Sequence, residues 1–111
     1  MAITKEFGSG SIQGRPITIS ATSSPGNTIH TADASAKDEI WIYAVNNNAS
    51  TERDLSIEFG GSGADVVITL PPKKGLVKVI PGQPLSGSSV VRAFASAASD
   101  VKVFVFVNRI T

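Results

Sequence analysis

The chain contains no cysteine, and only 17% of its 111 residues are charged. The lack of cysteine excludes disulfide bonds and thiolate metal sites, and it leaves the redox compartment undetermined. The 10 basic and 9 acidic residues nearly cancel, which argues against nucleic acid or an anionic membrane as the main partner. So few charges leave a surface built largely of Ser, Thr, Ala, Gly and Asn, a composition common where much of the surface contacts other protein.

Long apolar runs are also missing from the sequence. No segment is apolar over the length needed to span a bilayer, and the start, MAITKEFGSG, lacks the apolar stretch of a signal peptide. We therefore expect a protein that is made in a cytoplasm and is not exported by the general route. At 111 residues, the simplest organisation is one domain with an ordinary hydrophobic core.

Helical periodicity is nearly absent, and short β-rich runs alternate with Gly, Pro, Asn and Ser instead. The links between the runs have hairpin or Greek-key length, and no βαβ spacing occurs. We therefore predict an all-β fold, an antiparallel β-sandwich of about eight strands that is jelly-roll-like. The predicted strands are Pro16–Ala21, Thr28–Thr31, Glu39–Asn46, Arg53–Phe59, Asp65–Leu70, Leu76–Ile80, Ser88–Ala97 and Asp100–Ile110. The glycines of GGSG and the PGQPLSG segment are predicted to interrupt strands.

The first residues differ in composition from the rest of the chain. The segment GSGSIQG has little to bury and high backbone freedom. We predict an extended, flexible N-terminal arm over residues 1–14 and a single β-sandwich domain over residues 15–111. Ile3, Phe7 and Ile12 are apolar anchors that would order this arm against a partner. A frayed terminus explains the segment equally well.

Metal-binding motifs are not recognisable in the sequence. His30 is the one histidine, so a metal site would need carboxylates for its other ligands. Asp33, Asp38 and Glu39 are near it in sequence, but they match no calcium-loop pattern. We interpret His30 as a loop or strand-end residue, and we predict no metal and no cofactor.

Catalytic motifs are equally lacking. No Gly-x-Ser-x-Gly elbow marks a nucleophile, and the glycine stretches have neither the Walker lysine nor GxGxxG spacing. Asp54 and Glu58 are predicted to share the outer, solvated face of one strand, where charges usually serve solubility and not glycoside hydrolysis. We predict no catalytic residue.

Two ligand classes remain open for the aromatic residues. Phe104 and Phe106, with basic residues nearby, could stack bases of a single strand, but the neutral net charge argues against nucleic acid. Trp41 or Tyr43 could stack on a sugar ring beside the amides of Asn46–Asn48. A core position for both residues is the favoured interpretation, because they lie in the middle of a predicted strand.

The final strand, DVKVFVFVNRIT, is apolar on both faces. In extended conformation its valines point one way and Phe104 and Phe106 the other. Leaving both phenylalanines in water would forfeit ~3–6 kcal/mol, comparable with a domain's net stability of ~5–15 kcal/mol. The preceding strand, with Phe94, poses the same problem. The pattern predicts an oligomer or a docking surface, although it does not decide which face meets the core. The predicted subunit-interface residues are Phe94, Phe104, Phe106, Arg92 and Arg109.

The C-terminal half resembles a known class of proteins. The stretch TLPPKKGLVKVIPGQPLSGSSVVRAFASAASDVKVFVFVNRI has a strand ending in Leu-Pro, a Pro-Gly-x-Pro-Leu turn, a Val-Arg-Ala strand and a Val-rich strand closing on Val-Asn-Arg-Ile. These features are similar to those of head decoration (cement) proteins of tailed bacteriophages. The resemblance covers roughly residues 38–111, and its motifs are structural, not catalytic.

The resemblance implies a β-sandwich or β-tulip-like protomer that forms a homotrimer on the outer surface of an icosahedral head. Such proteins bridge major capsid subunits and stabilise the shell, and in several the N-terminal arm runs along the capsid. This chain is strand-rich from residue 15 onward, unlike the small lambda-type decorators, so their detailed fold is not carried over. The alternatives are a glycan- or receptor-binding module of a phage tail or fibre, and a head–tail joining component.

Overall fold

The protein is built from nine β-strands in the part of the chain that the structure describes. The structure is a computed structural model, and it describes residues 2–61 and 63–111. Met1 of the predicted arm and Ser62 of the predicted GGSG turn lie outside these residues. The strands are β1 (Ile3–Phe7), β2 (Ile17–Thr18), β3 (Asn27–Thr31), β4 (Lys37–Asn46), β5 (Arg53–Phe59), β6 (Val66–Leu70), β7 (Val77–Leu85), β8 (Val90–Ala95) and β9 (Val101–Ile110). The described ranges contain no helix long and apolar enough to cross a membrane.

The strands form two sheets that pack face to face. Sheet I has the order β1-β9-β4-β7, with the short β2 also paired to β9, and sheet II has the order β3-β8-β5-β6. All these pairings are antiparallel. The prediction of an all-β antiparallel sandwich is therefore confirmed. Strand β5 has the predicted bounds, whereas only Ile17–Thr18 of the predicted Pro16–Ala21 strand pairs regularly.

The core lies between the sheets and is lined by alternate residues of each strand. In β4 these are Ile40, Ile42 and Ala44, and in β9 the four valines from Val101 to Val107 are all buried. They pack against Leu55 and other aliphatic residues of sheet II. Because successive side chains of a strand point to opposite faces, burying the valines places Phe104 and Phe106 on the outer face of sheet I.

Strand β7 continues through the segment that was predicted to break it. Its pairing with β4 extends from Val77 to Leu85, across both Pro81 and Pro84. Prolines are tolerated here because β7 is the last strand of sheet I, where one edge needs no donors. Two register shifts absorb the irregular residues. Gly82 has a φ of 86°, and a Cβ there would come within 3.0 Å of the Trp41 indole.

The N-terminal segment, predicted to be a flexible arm, pairs with the sandwich in its described part. Ile3–Phe7 forms β1 along the free edge of β9, and the amides of Ala2 and Thr111 exchange hydrogen bonds with each other's carbonyls. Backbone pairing holds this strand, because all five of its side chains are exposed. The segment is extended, as predicted, but it forms the edge strand of sheet I.

The next residues cross from sheet I to the β3 edge of sheet II. Gly10 donates its amide to the carbonyl of Ile29. A Cβ on Gly8 would lie 2.3 Å from a methyl carbon of Val105, and one on Gly10 would lie 2.6 Å from the carbonyl oxygen of Thr28. These glycines therefore permit close approach of the backbone to the sandwich.

Candidate functional site

The candidate site is the outer face of sheet I, where the aromatic residues of β4 and β9 form cross-strand pairs. Trp41 is opposite Phe106, and Tyr43 is opposite Phe104. Phe7 of β1 continues the first of these rows on the other side of β9. The residues of β4 and β9 are partly exposed, and Phe7 is 61% exposed. No element of sheet II reaches this face, since sheet II packs on the other side.

The centre of this face is a stacked pair of rings flanked by two ammonium groups. The rings of Trp41 and Phe106 are 6.1 Å apart between centroids, with an angle of 3° between planes. Lys5 Nζ lies 5.0 Å from the Phe106 centroid, and Lys78 Nζ lies 5.9 Å from the Trp41 centroid. Because β1 and β7 lie on opposite sides of the β9–β4 pair, the four side chains form one row across the sheet, with a lysine at each end.

The energetic gain from this row is modest. An aromatic pair contributes ~0.5–1.5 kcal/mol beyond area burial, and an exposed cation–π contact contributes ~0.5–1 kcal/mol. Complete burial of one large apolar side chain contributes ~1.5–3 kcal/mol. The row therefore offsets only part of the cost of leaving the aromatic residues of this face in water.

A groove adjoins the aromatic row where the chain leaves β1 and later returns to β9. The groove has a volume of about 570 Å³. A separate cleft of about 370 Å³ lies at the opposite edge of sheet I, beside β6 and β7. The groove is lined by Lys5, Glu6, Phe7, Gly14, Phe104, Val105 and Phe106. An apolar side chain or short segment of a partner fits a groove of this size and composition.

The outer face of sheet I is basic at its margins. Lys5, Lys37 and Lys78 alternate with apolar residues on β1, β4 and β7, and Lys102 of β9 donates to Thr18 Oγ1 at 2.8 Å. Within residues 2–61 and 63–111, the recorded ion pairs involve arginines and the histidine and no lysine.

Glu39 is an acidic residue of this face, and it belongs to the aromatic row. Its Oε1 accepts hydrogen bonds from Trp41 Nε1 at 2.8 Å and from Asn108 Nδ2 at 3.1 Å. These bonds, that from Trp41 first, lower the pKa of the Glu39 carboxyl. The carboxylate thus fixes the orientation of the indole on the surface.

A polar cluster is buried under the opposite, inner side of β4. His30 Nε2 donates to Asp38 Oδ2 at 2.8 Å, and His30 Nδ1 accepts the backbone N–H of Ser9 at 3.0 Å. Arg109 contacts both oxygens of Asp38, at 2.8 and 3.0 Å. Burial disfavours the charged carboxylate, but the bonds from Arg109 and His30 outweigh burial and lower the pKa of Asp38 to about 2. The cluster is structural, since it anchors the N-terminal crossing at Ser9.

Glu58 is a second buried carboxylate, on the outer side of sheet II. It was predicted to be solvated, and that prediction is wrong: the residue is 1% exposed. Ser24 Oγ donates to it at 2.6 Å, and the amides of Gly26 and Gly63 donate at 3.0 and 3.1 Å. The hydrogen bond from Ser24 is the main cause that lowers its pKa, against the effect of burial. Two loops therefore cover this carboxylate completely.

The structure separates the predicted interface residues into three places. Phe104 and Phe106 lie together on the outer face of sheet I. Phe94 and Arg92 lie on β8, on the outer face of sheet II, because Val91, Ala93 and Ala95 point into the core. Arg109 joins the buried cluster on Asp38.

The predicted arm residues are all exposed. Ile3, Phe7 and Ile12 are 61%, 61% and 71% exposed.

Two aromatic residues were predicted on the wrong side of their strand. Trp41 and Tyr43, for which a core position was favoured, lie on the outer face of sheet I. The alternation of β4 could have shown this, because its other face carries the smaller aliphatic residues.

The described residues offer little support for a metal site. They contain no group of three or more His, Asp and Glu side chains that could hold a metal ion. The nearest approach is His30 with Asp38, and Arg109 occupies both carboxylate oxygens there. A cation has no free oxygen pair to bind in that cluster.

Comparison with known proteins supports the fold and goes no further. No protein-family model and no curated protein matches the sequence. One solved structure is similar, an exo-β-1,3-galactanase from Phanerochaete chrysosporium with β-1,3-galactotriose, at a TM-score of 0.52 and 18% identity. The likeness covers 96% of this chain and 26% of that one, so the chain spans about a quarter of its length. That neighbour is an enzyme, and at this identity the likeness establishes the fold alone.

Proposed function

We propose that this protein is a non-enzymatic structural component that acts by docking the outer face of sheet I onto other protein chains. The observation that carries the proposal is the set of partly exposed aromatic residues on the outer face of sheet I, Trp41, Tyr43, Phe104 and Phe106. A protein that must remain folded with such a face in water gains most when another chain covers it. The polar groups most suited to acid–base chemistry, Asp38 and Glu58, are instead saturated by internal hydrogen bonds.

The specific role we propose is decoration of an icosahedral phage capsid, as a homotrimer that bridges major capsid subunits. The sequence resemblance over residues 38–111 supports this role. It includes β4 and β9, the two strands that carry most of the aromatic face. The exposed Ile3 and Phe7 on β1 extend the same face toward the N-terminus.

Binding to phage heads tests this proposal. Heads of the phage that encodes the chain, prepared without this protein, should take up the purified protein to saturation and resist heat or chelator better afterwards. Trp41 emission should shift to shorter wavelength on binding, because a partner would exclude water from the indole. If the heads bind no protein at micromolar concentration, the decoration role is wrong.

Light scattering tests the trimer independently of the heads. A mass of three chains is expected at micromolar concentration, because the resemblance to decoration proteins implies a homotrimer. A stable monomer, with full solubility, would argue that the trimer forms only on a shell or not at all. A reconstruction of the virion would separate decoration of the head from a head–tail joining role.

A glycan-binding module of a tail or fibre is the second candidate, favoured by the surface position of Trp41. Glu39 and Asn108 lie beside the indole and could bind sugar hydroxyls. However, the Lys78 ammonium lies 5.9 Å from the indole centroid, and a pyranose stacking on that side of the ring would have to displace it. Titration with β-1,3-linked galactose oligosaccharides should leave Trp41 fluorescence unchanged if docking to protein is the function. Saturable quenching would favour the glycan module.

A further inference from the structure

The lysines on the outer face of sheet I indicate which kind of partner covers it. The face carries Lys5, Lys37, Lys78 and Lys102, whereas its carboxylates are Glu39 beside the indole and Glu6 in the lining of the adjoining groove. The whole chain has a net charge of only +1. Positive charge is therefore concentrated on this face, around an aromatic centre, and the remainder of the molecule carries the balancing negative charge.

The acidic residues are not arranged to meet these lysines. Every acidic residue other than Glu6 and Glu52 accepts a hydrogen bond from elsewhere in the chain. On the outer face of sheet II, Glu58 is buried and Asp54 accepts from Thr69 Oγ1 at 2.7 Å. The exposed Asp54 and Asp65 belong to sheet II and its loops, so a two-fold contact through the outer face of sheet I would place lysines against lysines.

The geometry of the rings disfavours ligands that bind by stacking. The ammonium group of Lys5 lies 5.0 Å from the Phe106 centroid, and that of Lys78 lies 5.9 Å from the Trp41 centroid. A nucleic-acid base would have to displace these ammonium groups to stack on the rings, because stacking needs an open aromatic face. The surface combines apolar aromatic area with positive charge. Such a surface fits protein side chains bordered by carboxylates.

We propose that the outer face of sheet I docks on an acidic surface of a different protein, one with an apolar centre and a border of Asp and Glu side chains. The inference rests on the proposed docking function of this face and adds the chemistry of the partner. Complementary charge steers association and sets specificity more than it sets final affinity. The shell subunits proposed above are therefore expected to expose carboxylates at the site where this protein binds.

A synthetic acidic polypeptide tests the partner chemistry without phage heads. The probe is the random copolymer of glutamate and tyrosine, with the copolymer of lysine and tyrosine as its basic counterpart, and binding is followed by Trp41 fluorescence. The full-length protein should bind the acidic copolymer at least ~10-fold more tightly. Binding should weaken ~10-fold or more between ~0.05 M and ~0.5 M salt, as expected for exposed charges.

Matched charge reversals locate the effect on the face. The double variant K5E/K78E should lose binding to the acidic copolymer, whereas K73E/K74E should retain it. Both change the net charge equally, but Lys73 and Lys74 lie in the loop between β6 and β7, outside the strands of the face. The neutral variant K5Q/K78Q, with its folding checked by far-ultraviolet circular dichroism, should bind at an intermediate level.

Three results would overturn the inference. The first is no binding of the acidic copolymer to the wild type, the second is an equal loss of binding in both double variants, and the third is binding of oligo-dT of the same charge as tightly as the copolymer. The last result would identify nucleic acid as the partner. Copolymer binding of the expected strength without any binding to heads would contradict the decoration role alone and leave the partner chemistry supported.

Discussion

The outer faces of the two sheets differ in how far the chain itself covers their outward-facing side chains. On sheet II the outward residues of β5 are Asp54, Ser56 and Glu58, and loops cover the one buried carboxylate among them. On sheet I the outward residues of β4 include Trp41 and Tyr43, and no segment of the described chain covers them. The chain covers the Glu58 carboxylate by itself, although Val67 on the same face is 58% exposed. It leaves the aromatic residues of sheet I partly exposed.

This difference shows that a residue that faces away from the core is not necessarily exposed to solvent. Glu58 faces away from the core and is nevertheless 1% exposed, because Ser24 and two glycine amides satisfy it. The aromatic row faces away from the core and satisfies itself only in part, through ring stacking and two lysines. A surface with unsatisfied apolar area is where an assembly contact is expected.

The largest expected effect comes from removing aromatic residues of sheet I. The double variant F104S/F106S should weaken binding to phage heads by roughly 1,000-fold, because a buried aromatic hot spot contributes ~2 kcal/mol or more. The control Phe94→Ser changes the outer face of sheet II and should bind as the wild type does. Co-sedimentation with heads measures both. Equal losses in the two proteins would mean that the faces are equivalent.

Removing a buried carboxylate of sheet II should reduce stability without affecting binding. Glu58→Gln loses charge-assisted hydrogen bonds from Ser24 and two backbone amides, and the free energy of unfolding should fall by about 2–3 kcal/mol. Glu39→Gln, on the partly exposed side of sheet I, should leave the urea midpoint nearly unchanged. If Glu39→Gln lowered the free energy of unfolding more than Glu58→Gln, the conclusion that internal hydrogen bonds to Glu58 contribute more to stability would be wrong.

Acid should reduce stability through Asp38, which neighbours Glu39 on β4 but lies on the inner side. Its folded-state pKa is about 2, below the ordinary 3.8, so the unfolded chain takes up the proton first as the pH falls. The contribution, ~2 kcal/mol, is complete above pH ~5 and is lost toward pH ~2. Urea unfolding at several pH values measures this slope. Asp38→Asn should be less stable at neutral pH and should show a smaller slope, and an unchanged slope would assign the effect to other groups.

The smallest effect is expected where the N-terminal segment crosses to sheet II. Gly8→Ala places a Cβ 2.3 Å from a methyl carbon of Val105 and should cost ~1–2 kcal/mol. Hydrogen exchange of the β1 amides should become faster, because the crossing holds β1 beside β9. Gly61→Ala has open space around its Cβ and serves as the control. Equal exchange in both variants would show that the segment is held by β1 pairing alone.

Local patterns predicted much of the fold. The alternation of Arg53–Phe59 predicted β5 with its correct bounds, and the apolar runs predicted strands that overlap β4 and β9. Which side of β9 meets the core was not predictable, because valines and phenylalanines are both apolar. The neighbouring strand determines which side of β9 is buried. The buried side of β4 carries Ile40, Ile42 and Ala44, and the valines of β9 belong to the same aliphatic core.

The remaining features depend on residues that are distant in sequence. The crossing at Gly8 and Gly10 is held through His30, which is 21 positions from Ser9, so its composition alone suggested mobility. Glu58 is buried by residues 32 and 34 positions away. No local pattern encodes either contact. The aromatic surplus in β9 was predicted, and the outward position of Trp41 could have been predicted from the alternation of β4.

The most direct test of the central claim is oxidative footprinting of the protein, free and bound to phage heads. Hydroxyl radicals modify exposed aromatic side chains, and mass spectrometry can quantify Trp41, Phe104 and Phe106 on sheet I separately from Phe94 on sheet II. The account predicts strong protection of the three sheet I residues in the bound state and unchanged modification of Phe94. Protection of Phe94, with Trp41 still fully modified, would contradict it.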